Sequence, residues 1–529
     1  MTAGLATIYI YTYTIIMHQW IPDAVREVAD VLTASGYKAY LVGGCVRDLL
    51  RRTVHGELVE PKDWDIATNA TPEQILALFP DSVYENQFGT VGVKVKRESE
   101  SEEGKGTTEV VEVTTFRLEG KYSDKRHPDE IKFAKTIEED LSRRDFTINA
   151  LALKLEARNS KPETSDFEFR SSDFKLVDPY GGQADLQAKV IRTVGKPEER
   201  FNEDALRLLR AVRFAAELDF EIEFDTRRAM EKQAGLLEAI AAERIRDEFA
   251  KMIMTERAAR GVLLLEESNL LVHVLPALRE GIGVAQDKHH IYTVFEHSVR
   301  ALDYAAKQNY PLEVRLAALL HDIGKPRTKM GQPPNSTFYN HEMVGARMAA
   351  EALDRLKFPK DLTVRVVHLV RQHMFYYNVG EVSPAGVRRF LVRVGPENVD
   401  DLIKVREADR IGSGVPKAVP YKLRHFLFMI EKVKHDPLSP KMLKVNGEDV
   451  MKLLDIPPGP KVGQILAILL EEVLDDPQAN SKKHLASRVK ALGELSPAEL
   501  QKMMQKAKTR QAAAEEEIEA GIKRKFRVQ

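Results

Sequence analysis

Two acidic residues, Asp63 and Asp65, are separated by one position and follow the glycine pair Gly43-Gly44. In a strand, residues i and i+2 share a face, so both carboxylates would point the same way, about 7 Å apart along the backbone. Carboxylates together with substrate phosphates are the ligands that Mg²⁺ prefers. Glycines let the backbone approach a phosphate without a side-chain clash. The combination predicts a site for a nucleoside triphosphate and Mg²⁺.

Neither half of this pattern is specific by itself, because Asp-x-Asp is common in turns and Gly-Gly usually marks a bend. In residues 41–68 both occur together: an apolar strand, the glycines, a charged turn with Arg47, and a second strand with the acids. This string resembles the nucleotidyltransferase superfamily that includes DNA polymerase β. More closely, it resembles the class II tRNA nucleotidyltransferases (CCA-adding enzymes) and bacterial poly(A) polymerases. The resemblance implies that the acids are catalytic metal ligands and that Gly43, Gly44 and Arg47 bind the nucleotide.

A third acidic residue, Glu112, lies in a predicted strand of the same domain, within the sequence VVEVTTFR. It is the best candidate to complete a two-metal site with Asp63 and Asp65; the alternative is a solvent-facing glutamate at a strand edge. In such a site one ion activates the attacking hydroxyl and both stabilise charge on phosphorus. No dedicated protein base is then required.

Residues 141–150, LSRRDFTINA, contain two arginines and an aspartate that would ordinarily form a surface capping cluster. The segment resembles the family's RRDFTxNA motif. The resemblance implies that Arg144, Asp145 and Arg143 recognise the ribose and the triphosphate. Further on, Asp178-Pro-x-Gly-Gly resembles the family's hinge between head and neck, and proline with glycine predicts a turn there.

Downstream, Asp204, Arg207, Arg210 and Arg213 are spaced three apart, which predicts one polar face of a helix. By itself the pattern could be a salt-bridged surface helix. It resembles the family's EDxxR helix, in which side chains replace a nucleic-acid template. A carboxylate can accept from the exocyclic amine of C or A while an arginine donates to the ring nitrogen. Guanine and uracil present the opposite pattern. Arg210 and Arg213 would contact phosphates or stabilise the template pair of carboxylate and arginine.

A separate group consists of His297, the dipeptide His321-Asp322, and Asp409. The group resembles the HD phosphohydrolase superfamily, whose ligands bind a divalent metal. Imidazoles with carboxylates suit Mn²⁺, Co²⁺ or Ni²⁺ better than Mg²⁺. The alternative is a set of structural histidines. Three further histidines are candidates to extend the site to a second ion: His341, His368 and His373.

Composition limits the class of protein. The chain has 529 residues, 43% hydrophobic and 30% charged, and a net charge of −1. About three or four domains are expected, and nucleic acid must be bound by local basic patches. One cysteine, Cys45, excludes an internal disulfide and favours the cytoplasm. Residues 1–17 are apolar but shorter than the about 20 residues that span a bilayer. They form an atypical extension, and Met17 is an alternative start.

The pattern of predicted elements changes along the chain. A helix is predicted to begin at Thr71-Pro72, and residues 91–95 and 110–113 are predicted to pair as a hairpin. Residues 97–108 and 155–172 read as polar loops, and helical periodicity dominates from about residue 185.

We therefore expect an α+β protein: a polymerase-β-like nucleotidyltransferase head, followed by an all-helical neck, a body with an HD domain, and a tail. The expected boundaries are 1–17 for the extension, 18–155 for the head, 173–280 for the neck and start of the body, 281–415 for the HD domain, and 416–529 for the tRNA-binding body and tail.

The function implied by the resemblance is addition of C and A from CTP and ATP to the 3′ end of tRNA, with Mg²⁺ in the head. No membrane and no obligate protein partner are implied. Poly(A) polymerase and CC-only or A-only enzymes are alternatives, although residues 114–133 read like CCA-adding enzymes. An alternative of another class is a metal-dependent HD phosphohydrolase acting on RNA ends. A non-catalytic RNA-binding scaffold would have no need of the acid pair.

Overall fold

The structure is a computed structural model and describes residues 20–57, 59–61, 63–86, 89–97, 107–119, 131–155, 174–286, 291–332, 335–433, 442–503 and 505. The chain forms two compact units, Met1–Arg279 with Arg355–Phe358 and Glu280–Asp354 with Pro359–Gln529. The predicted extension 1–17 and most of the polar loops 97–108 and 155–172 lie outside the described residues. Among the helices described, none is both long and apolar enough to cross a membrane.

Within the described part of the first unit, seven strands form one mixed sheet in the order β3-β4-β5-β2-β1-β8-β9. Their bounds are β1 Ala39–Val42, β2 Asp65–Thr68, β3 Val83–Asn86, β4 Thr90–Arg97, β5 Thr107–Thr115, β8 Ala152–Leu155 and β9 Phe174–Val177. A separate pair consists of β6 (Arg117–Glu119) and β7 (Ile131–Phe133), and a second of β10 (Val190–Ile191) and β11 (Glu221–Ile222). The last strand, β9, extends the sheet beyond residue 155, which is the predicted end of the head.

The centre of this sheet is apolar because β1 and β2 are covered on both faces. All residues of β1 are buried, as are Ile66 and Ala67 of β2. Fully apolar strands of this kind are typical of the middle of a covered sheet. The predicted hairpin is confirmed, since β4 pairs antiparallel with β5 along its whole length. These buried strands thus provide a rigid platform for the polar residues on and beside them.

The helices of the first unit alternate with the strands and then replace them. They are α1 Asp23–Ala34, α2 Gly44–His55, α3 Pro72–Leu78, α4 Ile137–Ser142, α5 Gly182–Ala188, α6 Pro197–Glu203, α7 Leu206–Leu218, α8 Phe224–Gln233, α9 Ala242–Ile253, α10 Ala258–Glu267, α11 Leu271–Val274 and α12 Pro276–Arg279. Thr71 caps α3 as predicted, in a capping box with Gln74. The predicted charged turn after the glycines is wrong, because those residues form the amphipathic helix α2.

In the described residues of the second unit, helices are joined by turns and loops, and β structure is confined to an isolated bridge between Met330 and Thr337. The helices from residue 280 onward are α13 Val294–Lys307, α14 Leu312–Leu320, α15 Lys325–Thr328, α16 His341–Arg355, α17 Lys360–Gln372, α18 Pro384–Val394, α19 Val399–Gly412, α20 Tyr421–Val433, α21 Gly447–Leu454, α22 Pro460–Asp475 and α23 Lys482–Gly493. The predicted α+β class with a helical C-terminal half is confirmed.

Candidate active site and metal centre

One cavity of about 740 Å³ in the first unit is lined by residues of the central strands β1, β2 and β5 and of the helices α2 and α7. Every residue that the sequence predicts as catalytic or nucleotide-binding lines this cavity. These residues are Gly43, Gly44, Arg47, Asp63, Asp65, Glu112, Arg143, Arg144, Asp145, Asp204, Arg207, Arg210 and Arg213. Residues far apart in the sequence are thus brought to one site.

The acidic residues come from two adjacent strands. Asp65 begins β2, and Glu112 is its register partner on the parallel strand β5. Asp63 precedes β2, so the prediction that both aspartates share a strand face is wrong, although both line the cavity. Burial raises the pKa of Asp65, the nearby Arg144 opposes this, and the charge of Asp63 raises it further. A cation held between these carboxylates would relieve both penalties, so the acidic set fits a divalent metal.

Gly43 makes room for an arginine at the end of β1. Its φ is +76°, and a Cβ atom there would lie 2.8 Å from Nη1 of Arg144 and 3.7 Å from Oδ2 of Asp65. Gly44 then begins α2, whose first backbone N–H groups have no partner within the helix, and both glycines line the cavity. On the same helix, Arg47 donates through Nη1 to Oδ1 of Asn149 at 2.9 Å.

A buried carboxylate, Asp140, holds the two arginines of the RRD segment. Arg143 donates to its Oδ1 from Nε at 3.1 Å and Nη2 at 3.0 Å, while Nη2 of Arg144 lies 3.4 Å from its Oδ2. Burial would raise the pKa of Asp140, but the two guanidiniums and the N–H of Arg117 hold it below its usual value. Asp140 therefore fixes a pair of cations at the cavity wall.

Asp145, the third residue of that segment, forms an ion pair with the helix α7. Nε of Arg210 donates to its Oδ2 at 2.8 Å, and Nη2 lies 2.7 Å from the same oxygen. Its other oxygen accepts from Nδ2 of Asn149 at 3.3 Å. Burial would raise the pKa of Asp145, yet the charges and hydrogen bonds of Arg210 lower it to about 2.

The predicted polar stripe does not lie on a single helix. Asp204 adopts an extended conformation between α6 and α7, with φ −137° and ψ 106°, and only the three arginines belong to α7. Arg207 is 7% exposed and donates to Oε2 of Glu203 at 2.6 Å and to the carbonyl oxygen of Arg143 at 2.9 Å. Asp204 and Arg207 nevertheless line the same cavity, Asp204 from the short link between α6 and α7 and Arg207 from α7.

Three guanidinium groups surround one aromatic ring at the cavity. The Cζ atoms of Arg47, Arg210 and Arg213 lie 5.4, 5.2 and 4.1 Å from the ring centroid of Phe214. Arg213 also donates through Nε to Oε2 of Glu248 at 2.7 Å. The ring and the carboxylate together hold the arginines close to one another despite their like charges.

In the second unit the predicted HD residues meet. Nε2 of His297 lies 2.9 Å from Nε2 of His321, 3.1 Å from Oδ2 of Asp322 and 3.3 Å from Oδ1 of Asp409. His297 and His321 are fully buried, and Asp409 is 7% exposed. The ligand atoms of His297, His321 and Asp322 lie within 4.8 Å of one another and could hold one metal ion.

A second group of ligands shares Asp322. Its Oδ1 lies 3.3 Å from Nε2 of His341 and 3.7 Å from Nε2 of His373. The prediction that His341 and His373 extend the site is consistent with this geometry. His368, also a candidate, belongs to neither ligand group among the described residues, and its Nε2 lies 2.7 Å from the carbonyl oxygen of Val394. Asp322 thus belongs to both groups of possible metal ligands.

The electrostatics of this centre favour cations. Burial would lower the pKa of His321, yet the Asp322 and Asp409 carboxylates raise it to about 10. Burial works against ionisation of Asp322 as well, but Lys325, with Nζ 2.6 Å away, and the histidines hold its pKa well below the usual value. Burial and neighbouring imidazoles lower the pKa of His373 to about 4, which keeps it neutral as a ligand.

Sequence reasoning missed several residues that position the predicted ones. Asp140, Glu203 and Glu248 supply carboxylates to the arginines, and Arg244 donates to Asp204. Arg244 and Glu248 are four apart on α9, which is the spacing of one helix face. That spacing is a signal, but it is too common on solvated helices to identify a site.

The chain matches the models of known families over most of its length. Residues 39–192 match the poly A polymerase head domain, residues 219–282 match the probable RNA and SrmB-binding site of polymerase A, and residues 294–412 match the HD domain.

Individual relatives agree with these matches. An A-adding tRNA nucleotidyltransferase of Deinococcus radiodurans is 38% identical over 348 residues, which are 63% of this chain and 75% of the relative. A CCA-adding enzyme of Enterococcus faecalis is 31% identical over 486 residues, covering 89% of this chain and 97% of the relative. The crystal structure of the Bacillus stearothermophilus CCA-adding enzyme in complex with CTP superposes with a TM-score of 0.63 at 27% identity. The superposition covers 89% of this chain and 98% of that one. With its polymerase head, acidic cavity and HD domain, the chain is a nucleotidyltransferase and belongs to the family of the CCA-adding enzymes.

Proposed function

We propose that this protein adds C and A nucleotides from CTP and ATP to the 3′ end of tRNA, completing or repairing its CCA terminus. The observation that carries the proposal is the single cavity in which two aspartates, a glutamate and a ring of arginines converge. Carboxylates and guanidinium groups around one cavity suit a metal–triphosphate complex, because the carboxylates can bind the metal and the guanidinium groups can bind the phosphates. Relatives named CCA-adding enzymes match nearly the whole chain.

The acidic residues would support the nucleotidyl transfer itself. Asp63, Asp65 and Glu112 would hold Mg²⁺, which supplies neutralisation of charge at the α-phosphate and lowers the pKa of the attacking 3′-hydroxyl. Hard carboxylate oxygens are its usual protein ligands. Arg143 and Arg144, of which Arg144 lies near Asp65, would bind the triphosphate through charge-assisted hydrogen bonds. Asp140 already orients both guanidinium groups, so they need little reordering when the triphosphate binds.

Base selection would rest on Asp204 and Arg207. A carboxylate only accepts hydrogen bonds and a guanidinium only donates them, so the pair matches the amine and ring nitrogen of C and A. Uracil and guanine would leave buried polar groups unpaired. Arg207 is held by Glu203 and by the backbone of Arg143, which links base recognition to the segment that would bind the triphosphate.

A nucleotide-incorporation assay tests this function. The substrates are tRNA lacking CCA, tRNA ending in C and tRNA ending in CC, with each NTP offered alone and in combination. Addition of three nucleotides, only with CTP and ATP together, is expected. Addition of A to the CC-ending tRNA alone would identify an A-adding enzyme, and long A tails a poly(A) polymerase. Incorporation of none of the four nucleotides would contradict the proposal.

A second activity is supported by the two ligand groups that share Asp322. We infer that the HD centre binds two divalent ions such as Mn²⁺, Co²⁺ or Ni²⁺, through His297, His321, Asp322 and Asp409 on one side and His341 and His373 on the other. Metal pairs of this kind hydrolyse phosphate esters, so a phosphohydrolase acting on RNA ends is the candidate reaction. Release of phosphate from 2′,3′-cyclic phosphates or monoesters, dependent on added metal, is the measurement. A cytoplasmic location, where tRNA and nucleotides are available, accompanies both proposals.

A further inference from the structure

The sheet face that carries the acidic residues continues beyond the cavity. Directly paired residues of neighbouring strands project to the same side of a sheet. One row of such partners crosses four strands: Asp65 of β2 pairs with Glu112 of β5, Glu112 with Gly92 of β4, and Gly92 with Val83 of β3. Of this row, Asp65 and Glu112 line the cavity. The face over β4 and β3 therefore adjoins the acidic residues on the side away from the cavity.

This adjoining surface is open and largely apolar, with one cation. Val83 is 48% exposed, and Val110, two positions before Glu112 on β5, is 54% exposed. Val110 and its exposed register partner Lys94 lie on the same side as Glu112, because residues i and i+2 of a strand share a face. Gly92 is buried in the floor between Val83 and Glu112, and a glycine inside a strand often marks the close approach of a ligand. We call these four residues the outer face: Val83, Gly92, Lys94 and Val110.

The other end of the same sheet face is closed. Thr114, two positions after Glu112, and its register partner Thr90 both line the cavity, and Thr90 is only 9% exposed. Ala67, which pairs with Thr114 from β2, belongs to a buried cluster with Ile137 of α4. Helix α4 thus covers the sheet at that end. A chain that approaches Glu112 along the sheet must therefore come over the outer face.

The chemistry of transfer indicates the same direction. In nucleotidyl transfer the attacking 3′-hydroxyl and the leaving pyrophosphate lie roughly in line, on opposite sides of the α-phosphate. Arg144, proposed to bind the triphosphate, lies beside Gly43 at the end of β1. In the strand order β3-β4-β5-β2-β1, β1 and β4 flank the two strands that carry Asp65 and Glu112 from opposite sides. The 3′-hydroxyl is therefore expected from the side of the outer face.

We propose that the outer face is the seat of the terminal nucleotide of the acceptor RNA. Its ribose lies over Gly92 with the 3′-hydroxyl toward Glu112. Val83 and Val110 contact the sugar and base, and the ammonium of Lys94 binds the phosphate on the 5′ side. This inference rests on the proposed function and adds to it a surface beside the cavity. None of these contacts reads the edge of a base, so one seat accepts each successive 3′ end as the strand is extended.

The test uses the full chain and measures equilibrium binding of two labelled RNAs: tRNA ending in CC, and the same tRNA without its single-stranded 3′ end. We expect Lys94→Gln to weaken binding of the CC-ending tRNA about fivefold, which corresponds to one exposed ion pair. The slope of log Kd against log salt concentration should fall by about 0.7, as for one contact to a single strand. The shortened tRNA should bind as it does to wild type, because no phosphate of it reaches Lys94.

Matched variants separate the seat from general effects on charge. Val110→Asp places a negative charge beside the same phosphate and should raise the KM for the CC-ending tRNA at least as much, whereas Val110→Leu keeps the apolar contact and should not. Lys175→Gln is the control, because Lys175 is exposed on the far edge strand β9 and both RNAs should bind to this variant as to wild type. The KM for ATP should stay near normal throughout, since the triphosphate contacts are intact.

A Lys94→Gln protein that melts like wild type and binds both RNAs as tightly as wild type overturns the inference. So does a loss of affinity that is equal for the two RNAs, or a KM for ATP that rises in parallel with the KM for tRNA. Failure of the proposed function is distinguishable, because the wild-type protein would then add no nucleotide to the CC-ending tRNA.

Discussion

Asp65 and Glu112 are register partners on the adjacent parallel strands β2 and β5. Directly paired residues of neighbouring strands project to the same side of the sheet, and both of these line the cavity. Two carboxylates from different strands are held by the backbone ladder, so their separation does not depend on flexible loops. Asp63, in contrast, lies before β2 and reaches the same cavity from a connecting segment.

We expect Glu112→Gln to lower nucleotide incorporation about a hundredfold or more, because metal contacts contribute several kcal/mol to transfer. Asp63→Ala or Asp65→Ala should abolish it. Glu109→Gln on the same strand is the control, since Glu109 is not among the residues that line the cavity. Single-turnover incorporation at saturating Mg²⁺ is the measurement. Near-normal activity of either aspartate variant would exclude the carboxylate site.

Substitution of Asp204 by Asn, or of Arg207 by Lys, should relax selection for C and A more than it weakens triphosphate binding. Loss of one base contact corresponds to about 1–3 kcal/mol, or roughly tenfold to a hundredfold in discrimination. The comparison is kcat/KM for all four NTPs, with KM for CTP as the measure of binding. Retention of wild-type rejection of UTP and GTP by both variants would contradict protein templating at these residues.

Gly43→Ala should damage both stability and activity. Its φ of +76° with ψ of −133° is a backbone conformation that costs alanine about 1–3 kcal/mol, and the new Cβ would displace Arg144, whose Nη1 lies 2.8 Å from that position. Gly44→Ala is the control for stability, because its Cβ would meet only Nη2 of Arg47 at 3.7 Å. Urea denaturation of the two variants provides the comparison. Equal midpoints would show that the backbone at Gly43 adapts.

The ion pair of Asp145 predicts a pH-dependent stability. The folded-state pKa of Asp145 is about 2, which is lower than that of an ordinary aspartate, so the stabilisation is fully present above about pH 5 and is lost as the pH falls toward 2. The shift corresponds to about 2 kcal/mol. The difference in unfolding free energy between wild type and Asp145→Asn should be constant from pH 7 to 5 and narrow below pH 4. A difference that stays constant to pH 3 would refute the assignment.

Removal of the HD ligands should not affect nucleotide addition. His321→Ala with Asp322→Ala should leave incorporation within a few-fold of wild type, yet abolish metal-dependent phosphate release. It should also abolish the rise in Tm caused by added Mn²⁺ or Ni²⁺, since an ion at about a hundred times its Kd stabilises by roughly 2.7 kcal/mol. His368→Ala is the control and should keep this rise, because His368 contacts the backbone of Val394. A folded double variant without nucleotide addition would show that the two sites are coupled.

The sequence determined which residues form the site. Short, spaced polar groups such as Asp63-x-Asp65, Arg143-Arg144-Asp145 and Asp204-x-x-Arg207 differ from ordinary surface sequence, and every residue predicted from them lines the cavity. Local rules also placed the hairpin of β4 and β5 and the cap of α3, because hydrophobic alternation and capping act between neighbours in the chain. The residues of the HD centre were also predicted from the sequence, although one candidate, His368, lies in neither ligand group.

Tertiary structure alone decided how these residues are held. The pairing of Asp65 with Glu112 depends on a strand order in which β5 lies beside β2, and no local pattern specifies that order. One helix was predicted across Asp204, but the structure has two helices with Asp204 between them. The carboxylate of Asp204 accepts from the backbone N–H of Leu206 and pairs with the guanidinium of Arg244. Asp140 and Arg244 were not predicted because their type and spacing resemble any solvated helix. Their partners are distant in sequence, so only folding shows that these ordinary charged residues orient the site.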